Sequence, residues 1–232
     1  MFKQLLSVLL ESRCEFCQRT TGDSRWECLC KYCFQQLSSH QFSPSDRVAW
    51  ALPNRLKLDQ TQAVFAWGMY DGQLKRAIAL MKYHQKPEIC SLLGTLLGTA
   101  WLDSKPTKLP NKITVVPIPL HHKKQQARGF NQAEVMAKSF CQITGYELNT
   151  LALIRIRETE AMFNLESSAA RAKNIQGALQ VGKKLPKYPV LLLDDVHTTG
   201  TTVQESIKVL QQKKIEVIGV VVAAKAGNRD RH

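Results

Sequence analysis

Two adjacent carboxylates, Asp194 and Asp195, mark the stretch of the chain with the clearest chemical pattern. Four apolar residues at 190–193 precede them and predict a buried strand, and a loop rich in threonine follows. Ligands of open α/β sheets bind beyond the carboxyl ends of the strands. Carboxylates in that place can accept hydrogen bonds from ribose hydroxyls or hold Mg²⁺.

The loop at 197–202 has the composition of a phosphate site. Gly200 permits a tight turn close to an anion, and backbone N–H groups and threonine hydroxyls would surround it. The next helix would point its positive N-terminus at the same phosphate. An ordinary strand–turn–helix with capping aspartates is the alternative, but the order of apolar run, acid pair and Thr/Gly loop favours the anion site. The stretch resembles the ribose-5-phosphate loop of type I phosphoribosyltransferases, which bind phosphoribosyl pyrophosphate (PRPP).

A second cluster of reactive residues lies near the N-terminus. Cys14 and Cys17 form one Cys-x-x-Cys pair, and Cys30 and Cys33 form another. This spacing is typical of a tetrathiolate zinc site, where the metal supplies folding energy to a segment too small for its own core. Cys28 is an alternative to Cys30 as the ligand. Disulfides fit poorly with an odd total of seven cysteines and a cytoplasmic protein, and a redox pair fits poorly with two copies.

Size and composition limit the possible folds, locations and partners of the protein. The chain has 232 residues, enough for one α/β domain with a small appendage, and its hydropathy and apolar runs predict no membrane span. Residues 1–12 read as an amphipathic helix rather than a signal peptide, which favours a cytoplasmic location. The net charge of +13 suits polyanionic partners such as nucleic acid or a phosphate-rich substrate, although charge alone could merely keep the protein soluble.

Alternating strand and helix patterns surround both clusters and predict a parallel sheet flanked by helices. Strands are expected at 62–68, 113–118, 151–155, 190–193 and 217–223. Pro-, Ser- and Asn-containing residues 41–57 read as a linker. The expected division is therefore 1–52 for the N-terminal helix, zinc-ribbon-like module and linker, and 53–232 for the α/β domain.

Three further segments complete a pattern that covers almost the whole chain. They are the strand end at 116–121, the Arg-Gly-Phe-Asn-Gln run at 128–132, and Arg171 and Asn174 before the Gly-Ala pair at 177–178. Together with the cysteines and the acid loop, they resemble the ComF (ComFC) family. That resemblance implies a phosphoribosyltransferase fold with an N-terminal zinc finger and a role in natural competence and DNA uptake.

The resemblance also implies roles for individual residues. Asp194 and Asp195 would bind the ribose hydroxyls of PRPP with Mg²⁺, and Arg128 would close over the pyrophosphate, so these three are the candidate catalytic residues. The other candidate PRPP-binding residues are Leu120, His121, Lys123, Val196, His197, Thr198, Thr199, Gly200, Thr201 and Thr202. For Lys123 and its neighbour Lys124 a solvated turn is the alternative. For Asn131 and Gln132 the alternative role is capping of the next helix, and for Asn174 the alternative role is bracing of the sheet edge.

Two positions depart from the patterns of the relatives. Thr198 stands where purine-salvage phosphoribosyltransferases usually carry an acid that helps with the leaving base, which weakens the case for acid–base catalysis by that route. Met162 stands near a position where the family commonly has Gln.

Two functions follow from these features. The first is Mg²⁺-dependent transfer of ribose 5-phosphate from PRPP to an unknown acceptor, so enzymatic turnover is left open. The second is a non-catalytic, zinc-containing adaptor of the competence machinery that binds single-stranded DNA. Its basic contacts would come from Lys82, Lys86, Lys123, Lys124, Lys183, Lys184 and Lys187, for which a solvated surface is the alternative.

Overall fold

The computed structural model describes residues 12–22, 24, 26–44, 63–104, 109–160 and 167–227. The expected N-terminal helix, apart from its last residue, lies outside these ranges, as do most of the expected linker and Met162. The expected boundary at 52/53 also lies outside them, so the division into two parts stays a prediction.

A parallel sheet forms the centre of the described part of the chain. It contains five strands in the order β1–β7–β6–β2–β3, and every neighbouring pair is parallel. The strands are β1 (Val64–Met69), β2 (Thr114–Pro117), β3 (Glu147–Leu148), β6 (Val190–His197) and β7 (Val217–Lys225). A separate antiparallel pair is formed by β4 (Leu153–Arg155) and β5 (Leu179–Val181).

Helices cover both faces of the sheet. They are α1 (Lys31–Ser38), α2 (Gly72–Tyr83), α3 (Pro87–Asp103), α4 (His122–Arg128), α5 (Gln132–Thr144), α6 (Ser168–Ile175) and α7 (Thr201–Gln211). Successive side chains of a strand point to opposite faces. In β6, Leu191 and Leu193 therefore pack with α2, α3 and α5, whereas Val190 and Leu192 pack against α7. Burial on both faces explains why the strand is a continuous apolar run, and the predicted fold class is confirmed.

Two glycines of α3 allow it to cross α5 at close range. A methyl group at Gly94 would collide with the carbonyl oxygen of Met136, and one at Gly98 would lie 2.9 Å from Cβ of Ile143. The two backbones therefore lie nearly in contact, which fixes the position of α5 against the sheet.

The structure differs from the sequence expectations in four places. The strand expected at 151–155 lies outside the parallel sheet, as β4 of the antiparallel pair. Residues 122–128, expected as part of a turn and mobile loop, form helix α4, which buries none of its side chains. Strand β6 runs on through the acid pair to His197. The short strands β3 and β5 were not expected, because two or three residues are too few to show a periodic pattern. Among the described helices, none is long and apolar enough to cross a membrane.

Candidate functional site

The acid pair lies at a step in the carboxyl edge of the sheet. Strand β2 ends at Pro117, opposite Leu193, whereas β7 stays paired with β6 as far as His197 and Lys225. The last bond on the β2 side is donated by the N–H of Ile118 to the carbonyl of Leu193, at 2.9 Å. Asp194 therefore lies just beyond the end of the neighbouring strand β2. This is the edge at which parallel α/β sheets bind ligands.

A cavity of about 260 Å³ opens over this step. Its floor is the acid pair and its far wall is the loop that leads into α7. The second wall comes from α2 and the end of β1, and the third from the segment around α4. The sequence-predicted residues that line it are Leu120, Arg128, Asp194, Asp195, Val196, His197, Thr198, Gly200, Thr201 and Thr202.

The acid pair is crowded and partly buried. Burial and the charge of Asp195 together raise the pKa of Asp194 to about 7, despite the opposing backbone N–H of Asp195 and nearby Lys82 and Arg155. One Asp194 oxygen accepts the backbone N–H of Asp195 at 2.8 Å. Two adjacent carboxylates at the edge of the sheet are a suitable oxygen donor set for a divalent cation. Mg²⁺ bound there would supply charge neutralisation for a phosphorylated ligand.

A lysine holds the second carboxylate. The ammonium nitrogen of Lys82, in the last turn of α2, lies 2.9 Å from Oδ2 of Asp195, and the two side chains are 22% and 14% exposed. Burial alone would lower the pKa of Lys82, but Asp195 and Asp194 raise it, so the ammonium stays charged. The acid pair therefore has a cation from the protein itself.

The loop after β6 has the geometry of an anion cradle. Gly200 has a φ of 74°, and a Cβ there would lie 2.8 Å from Nε2 of His197. Only glycine fits this place without strain. Helix α7 begins directly afterwards with no side-chain cap on its N-terminus, so its first N–H groups are available to a ligand. The hydroxyls of Thr199 and Thr201 lie 3.3 Å apart beside it.

His197 packs against the loop after β6, at Gly200. Its ring lies against Gly200, and Nδ1 is buried with no hydrogen-bond partner among the described residues. Burial lowers the pKa of His197, and the charge of Lys225 lowers it further. The ring is therefore neutral near pH 7 and gives the loop a compact, uncharged support.

Further cations face the cavity from the third wall. Arg128 donates to Oε1 of Gln132 at 3.1 Å, and its guanidinium lies 6.0 Å from the centre of the Tyr83 ring. Lys124 donates to the carbonyl of Thr159 at 2.6 Å, and burial lowers its pKa. Arg155 lines the same cavity and donates to the hydroxyl of Thr159. These groups give the cavity a surplus of positive charge suited to a phosphate-rich ligand.

Three of the predicted binding residues are placed differently. His121 is buried and packs against His122, with ring centres 4.2 Å apart, and Thr199 does not line the cavity. Lys123 points to Glu158 at 3.3 Å and is well exposed. The alternative of a solvated residue thus describes Lys123 in this structure, whereas Lys124 faces the cavity.

Several residues around the cavity have structural partners. Asn131 caps α5 by accepting the N–H of Ala133, and it donates to the carbonyl of Ile118 at 3.1 Å. Asn174 both accepts from and donates to the backbone of Glu160, so it braces the segment that carries Glu160 into the cavity. The Asn131 contacts match the capping alternative, whereas Asn174 braces a loop rather than the sheet edge expected for it.

Some cavity residues were not singled out as ligand-site residues from the sequence. Tyr70, Lys82, Tyr83 and Arg155 all line the cavity. The sequence indicates Lys82 only as one of the basic contacts for single-stranded DNA. Its contact with Asp195 depends on how α2 lies across the sheet, and no local pattern reports that arrangement.

The four cysteines of the two Cys-x-x-Cys pairs form one cluster. The Sγ atoms of Cys14, Cys17, Cys30 and Cys33 all lie within 4.8 Å of one another. Those of Cys17 and Cys30 are 3.7 Å apart. A tetrahedral zinc with Zn–S bonds of about 2.3 Å requires sulfur–sulfur distances of about 3.8 Å, so the cluster can hold such a metal.

The position of the fifth cysteine agrees with this set, whereas the pKa values of Cys14 and Cys33 shift in opposite directions. Burial and the neighbouring thiols raise the pKa of Cys33. Burial raises the pKa of the Cys14 thiol, but hydrogen bonds from backbone N–H groups at Cys30, Cys17 and Phe16 outweigh it and lower the pKa to about 7. Cys28 points away from the cluster, with Sγ 3.9 Å from the carbonyl of Glu88, and burial raises its pKa to about 11. The structure thus brings Cys30, not Cys28, into the ligand set.

The cysteine cluster is attached to α2. Arg76 of that helix donates to the carbonyl of Phe16, between Cys14 and Cys17, and its guanidinium lies 5.1 Å from the Phe16 ring centre. Lys86, just beyond the helix, pairs with Glu15 at 2.9 Å. Near the cluster, Trp26 packs against the core and stacks on Phe34, whereas Tyr32 is 64% exposed.

Comparison with known proteins finds relatives that are named for competence or DNA utilization. No family model matches the chain. Competence protein F of Haemophilus influenzae is 30% identical over 210 residues, covering 85% of this chain and 90% of that protein. The DNA utilization protein YhgH of Escherichia coli K12 is 27% identical, covering 85% and 83%, and competence protein ComFC of Bacillus subtilis is 24% identical, covering 80% and 72%.

Two similar solved structures are more distant in sequence. A hypoxanthine phosphoribosyltransferase of Staphylococcus aureus is 18% identical, with a TM-score of 0.36, covering 62% of this chain and 66% of that one. The adenine phosphoribosyltransferase of Leishmania tarentolae is 11% identical, with a TM-score of 0.38, covering 75% and 95%.

Proposed function

Because the chain belongs to the competence protein F (ComF) family, we propose that it is a phosphoribosyltransferase-fold protein that binds PRPP with Mg²⁺ and acts in natural transformation, in the uptake or handling of incoming DNA. The observation that carries the PRPP assignment is the pairing of an acid pair with an anion cradle in one cavity. A ribose carrying a phosphate needs both groups at once: carboxylates for its hydroxyls and N–H groups for its phosphate.

Each part of PRPP has a matching part of the cavity. Asp194 and Asp195 would accept hydrogen bonds from the ribose hydroxyls, while the N–H groups at the start of α7 would bind the 5-phosphate. The pyrophosphate would then lie towards Arg128, whose planar guanidinium can donate two parallel hydrogen bonds to it. Gly129 has a φ of 80° beside it, so the backbone can turn sharply as Arg128 closes over the ligand.

The direct test is calorimetric titration of PRPP in the presence of Mg²⁺. The double variant Asp194→Asn, Asp195→Asn should lose measurable PRPP binding, because amides neither hold Mg²⁺ as well nor accept as strongly. A matched control is Asp103→Asn, at the exposed end of α3. Equal PRPP affinity in the wild type and the double variant would refute the assignment.

Transfer of ribose 5-phosphate is a further step of the same proposal. In it, the bond between C1 of the ribose and the pyrophosphate oxygen breaks, a bond from C1 to an acceptor nitrogen forms, and pyrophosphate leaves with the electron pair. The cations around the cavity would stabilise the charge that develops on pyrophosphate. Pyrophosphate release from PRPP, measured across candidate bases, tests whether turnover occurs and names the acceptor.

We propose structural zinc for the four-cysteine cluster. Thiolates at this spacing are the usual donor set for zinc, and the module has little core of its own. Metal analysis of freshly purified protein should give one zinc per chain. The cytoplasmic location expected from the sequence stays a prediction.

Binding of single-stranded DNA is the second candidate function. It is favoured by the net charge of +13 and by relatives named for competence and DNA utilization. DNA affinity should fall steeply with added salt, because neutralised phosphates release counterions. The double aspartate variant should retain it. A DNA affinity that is independent of salt would exclude this electrostatic mode.

A further inference from the structure

The resemblance to the family implies no PRPP-binding role for Lys82. Its ammonium nitrogen lies 2.9 Å from Asp195, inside the cavity assigned to PRPP and Mg²⁺. A cation from the protein is therefore already bound to one of the two carboxylates that would receive the metal.

The ion pair is not needed to hold α2 in place. The apolar face of the helix is fully buried through Leu74, Ile78 and Met81. The contacts of Arg76 and Lys86 with the cysteine module attach it independently. A partly buried ion pair adds little stability because desolvation offsets its attraction. A role in ligand binding explains the lysine better.

Side-chain length permits such a role. The lysine stem has four rotatable carbons and a compact ammonium that can move between partners. Arg128 and Lys124 line the same cavity, so an ammonium released from Asp195 would join other cations that face the ligand.

We propose that Lys82 is the resident cation of the acid pair and is exchanged on ligand binding. In the free protein it neutralises Asp195. When Mg²⁺ arrives with PRPP, Mg²⁺ takes over the carboxylate, and Lys82 turns to the pyrophosphate. This inference rests on the proposed PRPP function and adds a residue that selects for a metal-bound, phosphate-rich ligand.

The proposed exchange predicts that Lys82→Met changes the affinity for Mg²⁺ alone and the affinity for PRPP in opposite directions. Mg²⁺ alone should bind the variant more tightly, because its competitor for Asp195 is gone. PRPP at saturating Mg²⁺ should bind more weakly, because one phosphate-binding cation is lost. We expect each shift to be about tenfold or more, the usual scale for a hydrogen bond to a charged group. A lysine with only a structural role would not move the two affinities in opposite directions.

The control is Lys138→Met. Lys138 is exposed on α5 and does not line the cavity. Both affinities should match the wild type in this control. Lys82→Arg, which keeps the charge, should retain the low affinity for Mg²⁺ alone, and circular dichroism should show all three variants folded.

The two measurements separate failure of this inference from failure of the PRPP assignment. If the wild type does not bind PRPP with Mg²⁺, the proposed function fails, while the titration with Mg²⁺ alone still tests the competition. An unchanged or weaker affinity for Mg²⁺ alone in Lys82→Met refutes the exchange, as does absence of Mg²⁺ binding to both proteins. Tighter Mg²⁺ binding with unchanged PRPP binding refutes the transfer of Lys82 to the ligand.

Discussion

Replacing Asp194 with Asn should stabilise the protein, and more so at higher pH. The raised pKa of Asp194, about 7 against an ordinary value of 3.8, means that the native state holds its proton where the unfolded state has lost it. The native state therefore binds more protons than the unfolded state between these two values. Stability must fall as the pH rises from about 4 to about 7. Asn carries no ionisable proton, so the variant lacks this loss.

The size of the effect follows from the same numbers. Between pH 5 and pH 7 the carboxyl of Asp194 is already ionised in the unfolded state, whereas in the native state it becomes half ionised only at pH 7. The native state therefore binds about one extra proton over nearly two pH units, and each unit changes the free energy of unfolding by about 1.36 kcal/mol. The free energy of unfolding of Asp194→Asn, relative to the wild type, should therefore rise by about 2 kcal/mol over this range.

The assay is urea-induced unfolding at pH 5, 6 and 7, with a fixed zinc concentration and no added Mg²⁺. Comparing the two proteins across pH removes any constant effect of the amide on packing. The control is Asp103→Asn, an exposed carboxylate outside the site, whose stability should follow that of the wild type. Parallel pH profiles for the wild type and Asp194→Asn would refute the account of a carboxyl held protonated by burial.

Three further changes test other parts of the structure. Cys30→Ser should abolish stoichiometric zinc in metal analysis while Cys28→Ser retains it, and the reverse result would exchange their assignments. Gly200→Ala should weaken PRPP binding at least about tenfold in calorimetry, because its methyl group would force the backbone out of a φ of 74° and press on His197; unchanged affinity would show that the cradle is not used. Asn131→Ala should lower the free energy of unfolding by about 1–2 kcal/mol through loss of a helix cap, and a urea midpoint equal to the wild type would contradict it.

The acid pair and its loop could be predicted from the sequence because their geometry is local. A buried strand, two carboxylates and a glycine that starts a helix are consecutive residues, and β6 and α7 follow that order. The cysteine cluster is similar, since equal Cys-x-x-Cys spacing in both pairs predicts two equivalent knuckles.

Contacts between residues that are far apart in the chain could not be predicted from the sequence. The pairing of Lys82 with Asp195 joins a helix and a strand that are far apart in the chain, and it depends on the angle at which α2 crosses the sheet. Helix α4 was missed for a different reason. It buries no side chain, so it shows no apolar period from which a helix could be predicted.

The close crossing of α3 and α5 has a practical consequence for engineering. Gly94 and Gly98 bring the two helix backbones into contact, which anchors α5 from its second turn onward. Strand β2 is anchored in the sheet as far as Pro117. The segment between them, residues 119–130, is thus held at both ends beside the cavity. Libraries confined to its exposed positions, with the buried His121 and the core-packed Phe130 unchanged, should redirect ligand choice while the protein keeps its melting temperature.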